Sequence, residues 1–352
     1  MLPHVALIAR IAVHWVSLIM MAALVENKMR AVTCRAWGPI DTLKVEEIAP
    51  PTPAADEVLI DVRATSVNYA DAIMVAGNYQ TRPPFPFSPG LETAGIVARC
   101  GNGVTRFRPG DRVMAILGWG GLAEQAVAKE AETFAIPASM SFDEAGAFPI
   151  TYISSDVAIR WRGRLEAGET LLVLGAAGGV GLAAVEIGKA MGARVIAGAS
   201  TAEKLAVAQG RGADAMVNYA TESLTERVMA LTDSKGADVC FDPVGGQLAD
   251  DALSCLGWGG RMLLVGFVGG VQKIPANRLL VKNRSALGCS LRYFRHYAPD
   301  KLQQSVGVLL AWYGRGRLKP CISHRFPLES SVEAIRLLTE RKALGKVVVV
   351  PA

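Results

Sequence analysis

The chain has 352 residues, of which 51% are apolar and 20% are charged. This length and composition predict a globular protein with a large buried core and about two domains. The net charge is only +5, and the 37 Lys and Arg residues are scattered along the chain, so the sequence does not indicate a dedicated nucleic-acid surface.

Residues 1–28 form an apolar N-terminal extension. The most apolar run, Ile11 to Val25, is shorter than a membrane span and contains His14, so it is a poor transmembrane helix. An appended or mis-called start, with the working protein beginning at Met29, is the favoured interpretation. Targeting and anchoring roles for the extension stay open.

Between Met29 and about Pro149, short β-like runs such as EVLIDVRATSV and AGIVARC alternate with Pro and Gly clusters. This pattern predicts an irregular β-rich domain. From about Ile150 to Cys289, apolar strands alternate with glycine turns and amphipathic helices. That rhythm predicts a parallel, doubly wound α/β sheet covered on both faces.

The C-terminal part predicts a helix near Lys301 to Tyr313, a short strand at CISHRF, a helix beginning near Ser330 and a closing strand KVVVV. These elements are too few for a third domain. We therefore expect residues 29–149 and 291–352 to form one domain, with residues 150–290 inserted as the second and a cleft between the two.

A glycine-rich turn follows the strand ETLLVLG and precedes an amphipathic helix. Such a turn between a buried strand and a helix is typical of dinucleotide binding, because glycines let the backbone approach the pyrophosphate and the helix N–H groups bind its charge. The candidate contacts are Gly175, Ala177, Gly178, Gly179, Val180 and Gly181.

The end of the next strand predicts which cofactor binds. Selectivity for NAD needs an Asp or Glu there, but this strand ends at Ser200. The nearest carboxylate, Glu203, is interpreted as part of a capping box with Ser200 as N-cap. Lys204 and Tyr219 could converge with Ser200 on a 2′-phosphate, which favours NADP(H).

Several motifs together resemble one protein family: SVNYAD, FSPGLETAGIV, RPGDRV, AAGGVGLAAVEIGKAMGARVIA, FDPVGG, RMLLVGF and GKVVVV. In this order they are similar to the medium-chain dehydrogenase/reductase superfamily, and most to its zinc-free quinone oxidoreductase and zeta-crystallin group. The resemblance implies a GroES-like catalytic domain with an inserted Rossmann domain, and a homodimer.

The resemblance also implies that no metal is bound. Zinc alcohol dehydrogenases of this superfamily have Cys and His where this chain has Asn68 and Leu91, and they carry a four-cysteine lobe after GDRV that this chain lacks. The six cysteines are widely spaced without a Cys-x-x-Cys pair, so we expect reduced thiols in a cytoplasmic protein.

The resemblance implies roles for individual residues. Asn68 would lie near the nicotinamide, Thr151 near its ribose, and Gly266 with Phe267 at its carboxamide. Ser200, Lys204 and Tyr219 match 2′-phosphate positions, and Lys346 would add charge there. Asp71 and Glu92 match recurrent positions that capping or hydrogen bonding within the domain also explains.

NADPH supplies a hydride, so the chain must hold an acceptor and polarise its oxygen. Tyr79 matches a proton-donating tyrosine of related enoyl reductases, and it could equally be an aromatic residue on the cleft rim. The leading hypothesis is reduction of quinones. Reduction of α,β-unsaturated carbonyls or enoyl thioesters is the alternative, and a non-catalytic, crystallin-like NADPH-binding protein is a third.

Overall fold

The structure is a computed structural model that describes residues 28–351. The extension of residues 1–28 therefore lies outside the described residues, apart from Lys28. Within the described part of the chain, no helix is both long and apolar enough to cross a membrane.

Fifteen strands are present in the described residues. They are β1 (Met29–Thr33), β2 (Lys44–Ile48), β3 (Glu57–Ser66), β4 (Glu92–Cys100), β5 (Arg112–Ile116), β6 (Gln125–Lys129), β7 (Thr133–Ala135), β8 (Thr170–Val173), β9 (Arg194–Ala199), β10 (Ala215–Asn218), β11 (Ala237–Asp242), β12 (Leu256–Leu264), β13 (Ser285–Gly288), β14 (Ile322–Pro327) and β15 (Lys346–Val350).

The helices fall between these strands. They are α1 (Tyr69–Val75), α2 (Phe142–Gly146), α3 (the consecutive stretches Pro149–Ile153, Ser154–Asp156 and Val157–Arg162, the first and last with π-type turns), α4 (Gly179–Ala190), α5 (Ala202–Gly210), α6 (Leu224–Leu231), α7 (Gly246–Cys255), α8 (Ala276–Leu280), α9 (Leu291–Tyr297), α10 (Pro299–Gly314) and α11 (Ser331–Thr339). Short 3₁₀ turns occur at Ile40–Thr42, Glu130–Glu132 and Leu328–Ser330.

The middle of the chain forms a six-stranded sheet in the order β10-β9-β8-β11-β12-β13, and every neighbouring pair is parallel. Counted from β8, this is the order 3-2-1-4-5-6 of the Rossmann fold, and the strand order reverses between β8 and β11. The predicted fold class is therefore confirmed. Ligands of such sheets bind at the carboxyl ends of the strands, where the order reverses.

Both faces of this sheet are buried, as its continuous apolar strands require. On β8, Leu171 and Val173 pack into one core with Leu182 of α4, whereas Leu172 and Leu174 pack into a second core on the opposite face. Successive residues of a strand point to opposite faces, so one short apolar run supplies both cores.

The β-rich part contains a seven-stranded sheet in the order β14-β15-β3-β4-β5-β7, with β6 also paired to β3. β1 and β2 form a separate antiparallel pair. Because β15 pairs with β3, the C-terminus returns to the sheet that the N-terminal half begins. The C-terminal helices and strands match the sequence-based prediction, but α9 was not predicted.

Candidate active site

The glycine-rich turn joins β8 to α4 at the carboxyl edge of the parallel sheet. Gly175 has a φ of +56°, and a Cβ on Gly181 would lie 2.2 Å from the Gly175 carbonyl oxygen, so only glycine fits there. Gly178 is the N-cap of α4 and offers no side-chain acceptor to the first turn. The N–H groups of that turn are thus suited to a phosphate.

The C-terminal GK turn lies directly against this glycine turn. The N–H of Gly345 donates to the carbonyl of Ala177 at 2.8 Å, and Gly345 forms a β-bridge with Gly178. A Cβ on Gly179 would lie 2.8 Å from Lys346 Cδ and 2.9 Å from Thr151 Cγ2. The structure therefore brings the turn together with Thr151 and Lys346, which are distant in sequence.

The predicted 2′-phosphate residues also meet. Ser200 follows β9, Tyr219 follows β10, and the Tyr219 ring covers Gly198, where a Cβ would lie 3.4 Å from Tyr219 Cδ1. Burial raises the pKa of Tyr219, while the adjacent Ser200 hydroxyl and the charge of Arg341 oppose that rise. Neither β9 (Arg194–Ala199) nor Ser200, which follows it, contains an Asp or Glu.

The capping-box prediction for this segment is wrong. Thr201, not Ser200, is the N-cap of α5, and its hydroxyl accepts from the Lys204 N–H at 3.3 Å. The predicted N-cap, Ser200, lies one residue before the observed N-cap, Thr201. It leaves the Ser200 hydroxyl free of a capping role and turned toward Tyr219.

Arg341 is a residue that the sequence analysis missed. It follows α11, its carbonyl accepts from Lys204 Nζ at 3.2 Å, and its Nη2 donates to the carbonyl of Val268 at 3.1 Å. It thus adds a second cation to the Lys204 and Tyr219 group. Nothing in its local sequence marks this role, because the chain returns from the other domain to reach it.

A buried polar network lies behind the GK turn. The Lys346 ammonium donates to Asn68 Oδ1 at 2.7 Å, to Glu92 Oε1 at 2.9 Å and to the carbonyl of Val67 at 3.2 Å. Asn68 Nδ2 donates to the same Glu92 oxygen at 2.9 Å, and the N–H of Ile150 donates to Glu92 Oε2 at 2.7 Å. Each polar group of the ion pair is thereby satisfied.

The prediction that Lys346 adds charge at the 2′-phosphate is therefore corrected. Its side chain is 6% exposed and that of Glu92 is fully buried, and the ammonium serves as the counter-charge of this carboxylate. A buried carboxylate needs such a partner, and this requirement fixes the lysine beside Asn68. Lys346 still touches the cofactor turn, but through its aliphatic stem.

Asp71 extends this network into α1. Its two carboxylate oxygens accept from the N–H groups of Asn68, at 2.7 Å, and Gly90, at 3.1 Å. Burial raises the pKa of Asp71 from 3.8 to about 7, against the opposing hydrogen bond from Asn68 and the charge of Lys346. Asp71 thus holds the backbone of both segments that carry Asn68 and Glu92.

The Tyr79 side chain packs against the core that contains Val67, Leu91 and Val347. Burial and the charge of Asp71 raise the pKa of its phenol, and the charges of Arg292 and Arg295 lower it. The phenol therefore lies within electrostatic range both of the Asp71 network and of two arginines on α9. A phenol whose ordinary pKa is 10 is protonated at neutral pH, as a proton donor requires.

Gly266 and Phe267 follow β12 at the same carboxyl edge. The Gly266 carbonyl accepts from Gln272 Nε2 at 2.6 Å, and the Phe267 carbonyl accepts from the Gly270 N–H at 2.9 Å. Thr151 donates its hydroxyl to the Ala147 carbonyl at 2.8 Å. These predicted nicotinamide contacts lie at the expected edge of the sheet, and their roles stay predictions.

Within residues 28–351, no group of three or more His, Cys, Asp and Glu side chains could hold a metal ion. Asn68 and Leu91, which stand where zinc ligands would be expected, are part of the polar network and of the apolar core respectively. All six cysteines are free thiols, and three of them, Cys34, Cys240 and Cys255, are buried.

Two family descriptions match parts of the chain: "alcohol dehydrogenase GroES-like domain" over residues 54–138 and "zinc-binding dehydrogenase" over residues 179–306. A quinone oxidoreductase-like protein 2 homolog of Nematostella vectensis is 38% identical over 325 residues, covering 91% of this chain and 88% of the relative. The quinone oxidoreductase of Rattus norvegicus is 32% identical over 311 residues, covering 88% and 93%.

Among solved structures, the Escherichia coli quinone oxidoreductase complexed with NADPH superposes with a TM-score of 0.86. It is 28% identical, and the match covers 92% of this chain and all of that one. The chain belongs to the zinc-independent quinone oxidoreductase group of the medium-chain dehydrogenase/reductase family of oxidoreductases. The resemblance inferred from the sequence motifs is thereby confirmed.

Replacing Lys346 by Met should destabilise the protein strongly, because the Glu92 carboxylate would stay buried without a counter-charge. We expect a loss of about 3–5 kcal/mol in the free energy of unfolding, measured by urea denaturation. The double variant K346M/E92Q should recover much of that loss. As a control, K342M removes a lysine whose pair with Glu340 is 67% and 44% exposed, and it should change stability by less than about 1 kcal/mol. Equal effects of K346M and K342M would contradict this account.

The raised pKa of Asp71 predicts a pH dependence of stability. Between the unfolded pKa of 3.8 and the folded pKa of about 7, the folded state holds a proton that the unfolded state has lost. Stability from this group is therefore present at low pH and lost as pH rises toward 7. Relative to D71N, wild type should lose roughly 2–3 kcal/mol between pH 5 and pH 8, measured by urea denaturation of both proteins. Parallel pH profiles would show that Asp71 does not titrate in this range.

Proposed function

We propose that this protein is an NADPH-dependent oxidoreductase that reduces quinones. The observation that carries the choice of cofactor is the group formed by Ser200, Lys204, Tyr219 and Arg341 at the ends of β9 and β10. Two cations and two hydroxyls suit a 2′-phosphate, and neither β9 nor Ser200 supplies a carboxylate for a free ribose 2′-hydroxyl. The quinone acceptor is supported by the names of the relatives.

When bound, NADPH would supply the hydride. The pyrophosphate would be held by the turn from Gly175 to Gly181, which has the small residues and helix N-terminus that such a group requires. The chain's remaining task is to orient the cofactor and the acceptor. Asn68 is suited to this because Lys346 and Glu92 fix both ends of its amide.

Two-electron reduction of a quinone to the hydroquinone consumes one hydride and one proton. We assign the proton to Tyr79, whose phenol makes no hydrogen bond within the described residues and is protonated at neutral pH. Transfer from this phenol to the reduced oxygen would give the hydroquinone, with a proton from solvent restoring the tyrosine.

Reduction of an α,β-unsaturated carbonyl is a second candidate, and one observation favours it. The Tyr79 phenol lies within range of Arg292 and Arg295, which would stabilise a developing enolate or an acidic substrate group. Hydride addition at the β-carbon and protonation at the α-carbon would use the same cofactor and the same tyrosine.

Initial rates with the full chain test these alternatives. NADPH and NADH oxidation would be followed at 340 nm with an ortho-quinone, a para-quinone and a short enone as acceptors. We expect NADPH consumption with the quinones. Turnover of the enone alone would favour the second candidate, and cofactor binding without oxidation of any acceptor would favour the non-catalytic alternative.

Substitution of Lys204 by Ala should raise the KM for NADPH by about 10- to 100-fold, the effect of one charge-assisted hydrogen bond. The KM for NADH should change less than about threefold, because NADH lacks the 2′-phosphate. E203A, which removes the exposed neighbouring carboxylate, is the matched control and should leave the preference for NADPH intact. Equal effects of K204A on the two cofactors would place the 2′-phosphate elsewhere.

A further inference from the structure

A cleft of about 640 Å³ lies between the β-rich domain and α9. One wall is formed by the end of β5 and the residues that follow it, Ile116 to Trp119, and the opposite wall by Arg292, Tyr293 and Tyr297 of α9. Arg295 of α9 also lines this cleft.

Asn68, Tyr79 and Thr151 do not line the cleft, but three observations link it to the candidate active site. Ile116 pairs with Glu92 across β4 and β5, so this wall is one strand away from the buried network. α9 begins three residues after the end of β13, at the carboxyl edge of the parallel sheet where the cofactor turn also lies. The charges of Arg292 and Arg295 also act on the Tyr79 phenol. The arginine end of the cleft is therefore within electrostatic range of the Tyr79 phenol.

Arg292 lines this cleft with a guanidinium that has no acceptor in the described chain. Within residues 28–351 its guanidinium makes no hydrogen bond or ion pair, and its Nη1 is buried without an acceptor. Its one polar contact is with the Tyr293 ring, 5.8 Å from the guanidinium carbon to the ring centre. A buried cationic donor without an acceptor costs free energy, which an anionic ligand would recover.

The other arginines with a buried unsatisfied nitrogen differ from Arg292. Arg112 donates to the Met140 carbonyl, and Arg261 is paired with Glu169, so each guanidinium is held by its own domain. Arg295, in the same cleft, is paired with Glu132 at 3.2 Å. Arg292 is thus the cleft arginine whose charge is not already used within the described chain.

Aromatic rings surround this charge. Trp119, Tyr293 and Tyr297 are 42%, 54% and 77% exposed, although all three line the cleft. Exposed rings around a cavity are suited to contact with a flat, conjugated group. The cleft therefore combines surfaces for a planar ligand with an arginine that has no acceptor among the described residues.

We propose that this cleft is the acceptor site and that Arg292 binds an anionic group, a carboxylate or a phosphate, of a planar unsaturated carbonyl acceptor. This inference rests on the proposed hydride transfer and narrows its substrate class. An acidic quinone and an acyl thioester with phosphates on its carrier share this chemistry, and the test below distinguishes them.

The test compares matched acceptors with and without an anion. One pair is 1,4-naphthoquinone-2-sulfonate and 1,4-naphthoquinone; the other is crotonyl-CoA and crotonyl-N-acetylcysteamine. For each pair, kcat/KM with NADPH is measured for wild type and for R292M, and the ratio within the pair is compared. Differences in intrinsic reactivity between the two compounds of a pair cancel, because wild type and R292M are assayed with the same two compounds.

We expect R292M to lower the anionic-to-neutral ratio by about 10- to 100-fold in at least one pair, the effect of one charge-assisted hydrogen bond. An effect on the sulfonate pair alone would indicate an acid close to the ring, and an effect on the thioester pair alone would indicate phosphates on a carrier. R292K should retain part of the ratio. R227M, which removes an exposed arginine of α6, should leave it unchanged. Unaltered ratios in R292M, with its melting temperature preserved, would overturn the proposal.

A binding measurement separates this proposal from the proposed function. The dissociation constant of 2-naphthalenesulfonate, which cannot be reduced by hydride, is measured with NADP⁺ present by fluorescence titration, with 2-naphthalenemethanol as the neutral partner. Binding of the sulfonate that weakens about tenfold or more in R292M supports the cleft assignment even if no acceptor is turned over. Equal binding to wild type and R292M overturns the assignment even if quinones are reduced.

Discussion

The active site depends on one buried ion pair, between Lys346 and Glu92. Taking two charges out of water is costly, so the pair is tolerable only with further hydrogen bonds, which Asn68 and the backbone of Ile150 provide. Glu92 begins β4 and Lys346 begins β15, whereas Asn68 precedes α1 and Ile150 lies at the start of α3. The pair thus joins segments far apart in sequence at the place where the glycine turn touches Lys346.

This arrangement explains why the C-terminus must return to the first domain. β15 carries Lys346 at its first residue, pairs with β3, and is preceded by Gly345, which is bonded to the glycine turn. The same returning segment supplies Arg341 to the group around Lys204. One stretch of six residues, 341–346, therefore contacts both ends of the candidate cofactor site.

Local patterns predicted most of the fold, because strand and helix periodicity, glycine turns and apolar runs are recorded in neighbouring residues. The strand-turn-helix unit at Gly175 to Gly181 and the strand after it were recognised in this way. The role of Lys346 was not, because its partner Glu92 lies 254 positions away and only the fold brings them together. Arg341 was missed for the same reason, since its contacts with Lys204 and Val268 are also distant in sequence. The N-cap at Thr201 was missed because Ser200 and Thr201 are adjacent and both residue types are favoured N-caps.

The charges of the site fall into two kinds, and the distinction explains their different roles. Lys346 is neutralised by the carboxylate of Glu92, so its role is to position Asn68 and not to add net positive charge to the site. Lys204, Arg341 and Arg292 have no carboxylate paired with them in the described chain. Lys204 and Arg341 lie at the proposed 2′-phosphate site, and Arg292 lies in the proposed acceptor cleft. For hydride transfer, the protein must hold the cofactor and the acceptor while their reacting atoms stay free of ion pairs. Cations at the outer ends, with a neutral amide and a phenol between them, satisfy that requirement.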